Sequence, residues 1–108
     1  SKDSSLLPNI YLTIGQILGK QKKFNEVVEI TSKGISHCIK YEISFALASL
    51  FLLNSYALLD LGKTEDALDS ARKVFMQLYI ENKKKKYDEY KKMFETKFNM
   101  SLDEIICI

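Results

Sequence analysis

The chain has 108 residues, 46% hydrophobic and 28% charged, which suits one globular domain with a buried core. Its net charge of +2 rests on fifteen lysines and one arginine, and this scarcity of arginine disfavours base-specific nucleic-acid recognition. The longest apolar run, residues 45–53, is much shorter than a membrane-spanning helix, which needs about 20 residues. No secretory signal is present at the start of the sequence.

Two helices are predicted in the first part of the chain. Apolar residues recur at three- and four-residue spacing from Leu6 to Lys20, with Pro8 in the opening turn. Residues 19–23 interrupt this pattern, and a second helix is predicted from Phe24 to Cys38.

The third predicted helix covers about Ile43 to Leu61 and is apolar on nearly every side, which is typical of a helix packed on both flanks. We therefore expect it to be the central element. Gly62 ends it, since glycine is favoured just after a helix.

Three more helices complete the prediction. The fourth begins at Thr64, a possible N-cap, and extends to about Ile80. The fifth follows a run of lysines and carries aromatic residues on one face, and Ser101 with Glu104 forms a capping-box pattern before a short helix, 102–108. No strand alternation competes, so the predicted fold class is all-α, with about five helices and a short C-terminal one.

The sequence of residues 14–28 aligns with that of residues 54–68, so that Gly15 corresponds to Ser55 and Leu18 to Leu58. A repeat of this size indicates helix pairs stacked on one another. We expect a single domain with one repeat over about 6–40, a second over about 43–81, and capping helices over 83–108. The first residue is not Met, and residues 1–5 read as the start of an excised piece, so we expect a longer parent chain.

The segment Leu58-x-x-x-Gly62-Lys63-Thr64-x-x-Ala67-Leu68-x-x-Ala71 resembles the second half of a tetratricopeptide repeat, and 11–27 resembles a degenerate copy. The period is longer than the usual one of about 34 residues. Such longer repeats are familiar in the peptide-sensing regulators of Gram-positive bacteria, the Rap, NprR, PlcR, PrgX and Rgg-type proteins. The run 26–41 is similar to the second helix of a PlcR-like repeat.

This resemblance implies a C-terminal sensor and dimerisation domain of a transcriptional regulator. A short signalling peptide would lie in a concave groove formed by the first helix of each pair. DNA would be bound only through an N-terminal domain outside this chain, and the expected partners are the peptide and a second copy, with no membrane. The implied peptide-binding residues are Asn9, Leu12, Gln16, Lys20, Ser49, Leu52, Tyr56 and Asp60, with Asn54 as a further candidate.

Two other classes of function remain open. One is a tetratricopeptide adaptor that grips a segment of a protein partner, and the other is a Rap-type scaffold that inhibits a protein through its helical face. The upstream sequence would separate them, because a helix-turn-helix pattern there would favour the regulator.

Asn54 is a polar amide within an otherwise apolar helix, and burying it without a partner would cost about 1–3 kcal/mol. We expect its partner to be a carbonyl of a neighbouring helix rather than a ligand. If it contacts a ligand instead, Asn54→Ala would abolish binding with little loss of stability.

No enzyme activity, metal or cofactor is expected. His37 is the only histidine, and no nucleophile set, phosphate-binding loop or metal motif is present. Cys38 and Cys107 form no paired motif, so we expect reduced core thiols in a cytoplasmic protein. The lysine-rich stretch (83–86, 91, 92 and 97) is interspersed with acidic residues, which favours a solvated face over a phosphate-binding patch.

Overall fold

The computed structural model describes residues 5–107, which form an all-α array of helical hairpins and confirm the predicted fold class. No strand occurs among these residues. In chain order the helices are α1 (Leu7–Lys20), α2 (Phe24–Lys40), α3 (Leu47–Asp60), α4 (Thr64–Ile80), α5 (Lys84–Phe98) and α6 (Leu102–Ile106).

The four turns that join α1, α2, α3, α4 and α5 repeat one backbone geometry. Lys22, Glu42, Gly62 and Asn82 are evenly spaced along the chain, and all four have a positive φ between 54° and 79°. In each turn two backbone amides bond back to the preceding helix, as in the 2.9 Å bonds from Gly62 N to Leu59 O and from Lys63 N to Leu58 O. One helix therefore lies in each interval between these turns, and a helix pair spans the same length as the repeat in the sequence.

Three predicted boundaries differ from the structure. Helix α3 begins at Leu47 rather than near Ile43, because the left-handed Glu42 turns the chain and the amide of Ile43 bonds back to the carbonyl of Cys38. Thr64 is not an N-cap, since Lys63 holds that position without a side-chain hydrogen bond. Helix α2 extends two residues past Cys38, to Lys40.

The terminal helix is shorter than predicted. It ends at Ile106 because Cys107 has an extended backbone, and Ile108 lies outside the described residues. The capping box that opens it is confirmed. Ser101 accepts a hydrogen bond from the amide of Glu104, whose carboxylate accepts one from the amide of Ser101.

Helix α3 occupies the centre of the array, as its apolar character predicted, and it packs against α1, α2 and α4. The larger core cluster joins α3 and α4 to α5 and α6 around the fully buried ring of Phe94. A smaller cluster joins α2 to α3 around Cys38, Ala46 and Leu50. These two clusters fix the positions of the helices that line the candidate site.

Only one cysteine is a core thiol. Cys38 is buried and burial raises the pKa of its thiol above the usual value, whereas Cys107 is exposed, and neither forms a disulfide. Among residues 5–107, no helix has the combination of length and apolar character that crossing a bilayer requires.

Candidate functional site

A cavity of about 580 Å³ opens between α1 and α3, at the end of these helices nearest the α1–α2 turn. Helix α1 contributes one wall, α3 contributes the other, and the first turn of α2 closes the end. We name this cavity the groove. Its lining residues are Gln16, Gly19, Lys20, Phe24, Val27, Leu53, Tyr56, Ala57 and Asp60.

Four of the nine residues predicted from the sequence lie together in the groove. Gln16 and Lys20 are one helical turn apart on α1, and Tyr56 and Asp60 occupy the equivalent positions of the second repeat, on α3. Residues four apart share a helix face, so each pair points to the same side of its helix. The packing of α1 against α3 then brings both pairs to one cavity.

The other five predicted residues do not line the groove. Leu12 packs against the cluster around Cys38, and Leu52 packs against the larger core cluster. Asn9 is exposed and Ser49 is half-buried, both nearer the N-terminal ends of their helices. The ninth, Asn54, is buried. Their roles as ligand contacts stay predictions.

Asn54 has hydrogen-bond partners on both sides within the fold. Its Nδ2 donates to the hydroxyl of Thr31 at 3.1 Å and to that of Ser32 at 3.4 Å, both on α2. Its Oδ1 accepts a 2.7 Å hydrogen bond from Ser70 on α4. The partners are thus hydroxyls of two neighbouring helices rather than the single carbonyl that we expected. These bonds satisfy the amide without a ligand.

The charges at the edge of the groove are unevenly paired. Asp60 Oδ1 lies 2.8 Å from Lys97 Nζ of α5, and this ammonium also sits 5.4 Å from the ring centroid of Tyr56. Lys20, on the opposite wall, forms no ion pair with any residue of the described part of the chain. The groove therefore has one neutralised carboxylate and one available cation.

Tyr56 is held in place by α5. Its ring lies edge-on to Phe94 at 5.2 Å and to Phe98 at 6.4 Å between centroids. Burial raises the pKa of the Tyr56 phenol above its usual value of 10.0, and the charge of Tyr90 raises it further. A rigid aromatic wall with a neutral hydroxyl suits contact with an apolar side chain.

Sequence reasoning missed the apolar part of the lining and the role of Lys97. Phe24 was predicted only as the first residue of the second helix, and its position directly after the turn places it in the groove. Leu53, a half-buried residue of α3, also lines the groove. Lys97 was grouped with the solvated lysines, but its side chain is only 31% exposed and it pairs with Asp60. No local sequence signal indicates that pair, because it depends on how α5 docks.

The chain was compared with protein-family models, with curated proteins and with solved structures. None of the three comparisons finds a match. The interpretation of the groove therefore rests on its own residues.

A second cavity of about 610 Å³ lies where α4 turns into α5. It mixes apolar residues with Lys83, Lys84 and Asp88. Lys83 to Lys86, Lys91 and Lys92 are all exposed, and none of them takes part in an ion pair among the described residues. Within residues 5–107, no three side chains of the His, Cys, Asp or Glu type are grouped so as to hold a metal ion.

Proposed function

We propose that this chain binds a short linear peptide in the groove between α1 and α3. We further propose that it serves as the sensor domain of a peptide-responsive transcriptional regulator. The observation that carries the first part is the meeting of Gln16, Lys20, Tyr56 and Asp60, from equivalent helices of the two repeats, at one apolar cavity. The second part is supported by the tetratricopeptide-like sequence pattern alone.

The chemistry of the lining favours a peptide with an apolar side chain and a nearby acidic group. Phe24 and Leu53 contribute apolar side chains to the lining, and Tyr56 contributes a rigid aromatic ring. Gln16 can donate to and accept from a peptide backbone, because its amide carries both functions. Since Lys97 already neutralises Asp60, the unpaired Lys20 gives the groove a positive character and favours an anionic group.

The regulator hypothesis adds partners that this chain does not contain. Peptide binding would shift the populations of two curvatures of the helical array. In a cytoplasmic homodimer, that shift would reposition N-terminal DNA-binding domains.

An adaptor is the second candidate, since Gln16 and Lys20 are exposed at the groove, where a segment of a protein could reach them. An adaptor would bind an internal segment of a protein as well as it binds a free peptide, whereas a peptide sensor would prefer free short peptides. Comparing a selected sequence as a free peptide with the same sequence inside a larger protein separates the two.

The proposal is tested by affinity selection from a random pool of short peptides on the immobilised chain. We expect the retained peptides to combine an apolar residue with an adjacent acidic group. Lys20→Gln should weaken their binding by about tenfold, because an ion pair at a partly enclosed site contributes about 1.4 kcal/mol.

Lys33→Gln is the matched control, since Lys33 is an exposed lysine on α2 that does not line the groove. It should leave binding unchanged. Retention of no peptide would contradict the proposal. Equal effects of the two lysine variants would contradict it as well.

A further inference from the structure

An exposed stripe of apolar side chains follows one side of α1. Its members are spaced four, four and three residues apart, and each is between 38% and 61% exposed: Leu6, Ile10, Ile14 and Ile17. Such spacing places them on a single helix face. No charged residue occurs from Leu6 to Gly19, so the stripe and the residues between its members are uncharged.

The internal repeat supplies a buried counterpart on α3 and in the residue just before it. The equivalent positions of the second repeat hold four residues that are at most 6% exposed: Ala46, Leu50, Asn54 and Ala57. Both helices end two residues before a left-handed turn residue, Lys22 or Gly62, so the two stripes occupy equivalent faces. On α3 this face is a helix-packing surface, and on α1 the same face is uncovered.

Helix α2 covers the α3 counterpart, and it does so with small residues. Thr31 accepts the 3.1 Å hydrogen bond from Asn54, and Cys38 packs with Ala46 and Leu50. At Gly34 the approach is so close that an added Cβ would lie 3.1 Å from the side chain of Leu50. Val27 is the fourth α2 residue on this covering face, and it lines the groove together with Ala57.

We propose that the α1 stripe is a docking face for an amphipathic helix of the same kind as α2. The stripe carries isoleucine where α3 has Asn54 and Ala57. The docking helix should therefore be smaller than α2 at the positions of Thr31 and Val27, and it needs no hydroxyl opposite Ile14. It should carry no charge on its contact side, because the stripe offers no group to pair with one.

A second copy of this chain does not offer such a helix. The small-residue face of α2 is already covered by α3. The equivalent face of α4, which includes Ala67, Ala71 and Val74, is fully buried in the larger core cluster. The exposed apolar residues that a second copy could bring to the stripe, such as Phe45, Met76 and the isoleucines, are large, so large side chains would meet large side chains. This inference stands apart from the proposed function, since the stripe lies outside the groove.

The test uses the full chain and a synthetic peptide with the sequence of residues 24–40, carrying Val27→Ala and Thr31→Ala. Glu29 and Lys33 already form an i,i+4 pair at 3.4 Å, so joining their side chains as a lactam holds the peptide helical without touching its contact side. The control peptide is identical except for Thr31→Glu in place of Thr31→Ala. Circular dichroism establishes that both peptides are helical.

Binding is followed by NMR of the isoleucine methyl groups. We expect saturable shifts at Ile10, Ile14 and Ile17 with a Kd below about 1 mM, and binding about tenfold weaker for the control peptide. Ile14→Glu in the chain should weaken binding by a similar factor, because it places a charge in the contact. Ile39→Glu changes an exposed isoleucine of α2 outside the stripe and should leave binding unchanged.

Three outcomes overturn the proposal. One is the absence of shifts up to about 1 mM with a helical peptide. Another is a set of shifts confined to isoleucines outside the stripe, such as Ile80 and Ile106, that Ile14→Glu leaves unchanged. The third is sedimentation of the chain alone as a dimer that Ile14→Glu dissociates, since the occupant would then be a second copy.

Discussion

The side-chain oxygen of Asn54 accepts a 2.7 Å hydrogen bond from the hydroxyl of Ser70, while its amide nitrogen donates to Thr31 at 3.1 Å. One buried amide thus connects α3 to α2 on one side and to α4 on the other. None of the buried side-chain polar atoms in the described residues lacks a hydrogen-bond partner. A polar network that is fully satisfied in this way stabilises one arrangement of the three helices.

Asn54→Ala should destabilise the chain by about 1–3 kcal/mol, because the Ser70 hydroxyl would lose its buried acceptor and the Thr31 hydroxyl would lose the hydrogen bond that it accepts. Urea unfolding followed by circular dichroism measures the change. Ser49→Ala is the control on the same helix, since Ser49 is only half-buried, and it should change stability far less. If Asn54→Ala left stability intact and abolished peptide binding, Asn54 would be a ligand contact.

Two helical glycines should respond in opposite ways to alanine. A Cβ at Gly34 would lie 3.0 Å from Cβ of Tyr11 and 3.1 Å from Leu50, which is fully buried, so Gly34→Ala should destabilise by about 1–2 kcal/mol. A Cβ at Gly19 would meet nothing within 4 Å, so Gly19→Ala should stabilise by about 0.5–1 kcal/mol.

Thermal unfolding of the two alanine variants tests this pair of predictions, and each variant serves as the control for the other. Equal shifts in Tm for Gly34→Ala and Gly19→Ala would show that α1 and α2 do not approach as closely as described.

The pKa of the Tyr56 phenol should lie above its usual value in the folded chain. Burial raises its phenol pKa above 10.0, and the charge of Tyr90 adds to the shift. The unfolded chain therefore loses this proton first, and the folded state loses stability as the pH rises above about 10. Absorbance of the phenolate, recorded against pH, measures the late phase.

Tyr56→Phe is the control for that titration. It should remove the late phase and reduce the loss of stability at alkaline pH. A late phase that persists in Tyr56→Phe would assign the shifted pKa to another tyrosine.

The two thiols should differ sharply in reactivity. Cys107 is exposed, whereas Cys38 is buried and burial raises its thiol pKa, so less thiolate is available at neutral pH. An aromatic disulfide reagent should modify one thiol quickly and the second only on unfolding. Cys107→Ser should abolish the fast phase, and two fast thiols in the native chain would contradict the placement of Cys38.

Features that follow from helical periodicity, such as which residues share a helix face, can be predicted from the sequence. The tetratricopeptide resemblance implied Gln16, Lys20, Tyr56 and Asp60 as peptide-binding residues. The structure places all four at one cavity, since residues four apart share a helix side. The internal repeat also corresponds to a recurring turn geometry, although only Gly62 among the four left-handed turn residues is a glycine.

What depends on tertiary packing could not be predicted in the same way. The left-handed conformation of Glu42, which delays α3 to Leu47, has no glycine to indicate it. The pair between Lys97 and Asp60 requires α5 to dock on Tyr56 through Phe94 and Phe98, and no local pattern specifies that contact. Phe24 reaches the groove because the preceding turn sets its direction.

The proposed role of the groove between α1 and α3 is to receive a peptide. Its most direct test is an NMR titration of the backbone amides of the chain with a peptide retained from the random pool. We expect saturable shifts centred on Gln16, Gly19 and Lys20 on α1 and on Asp60 on α3. Shifts confined to the exposed lysines of α5, or no shifts at a peptide concentration of about 1 mM, would contradict the claim.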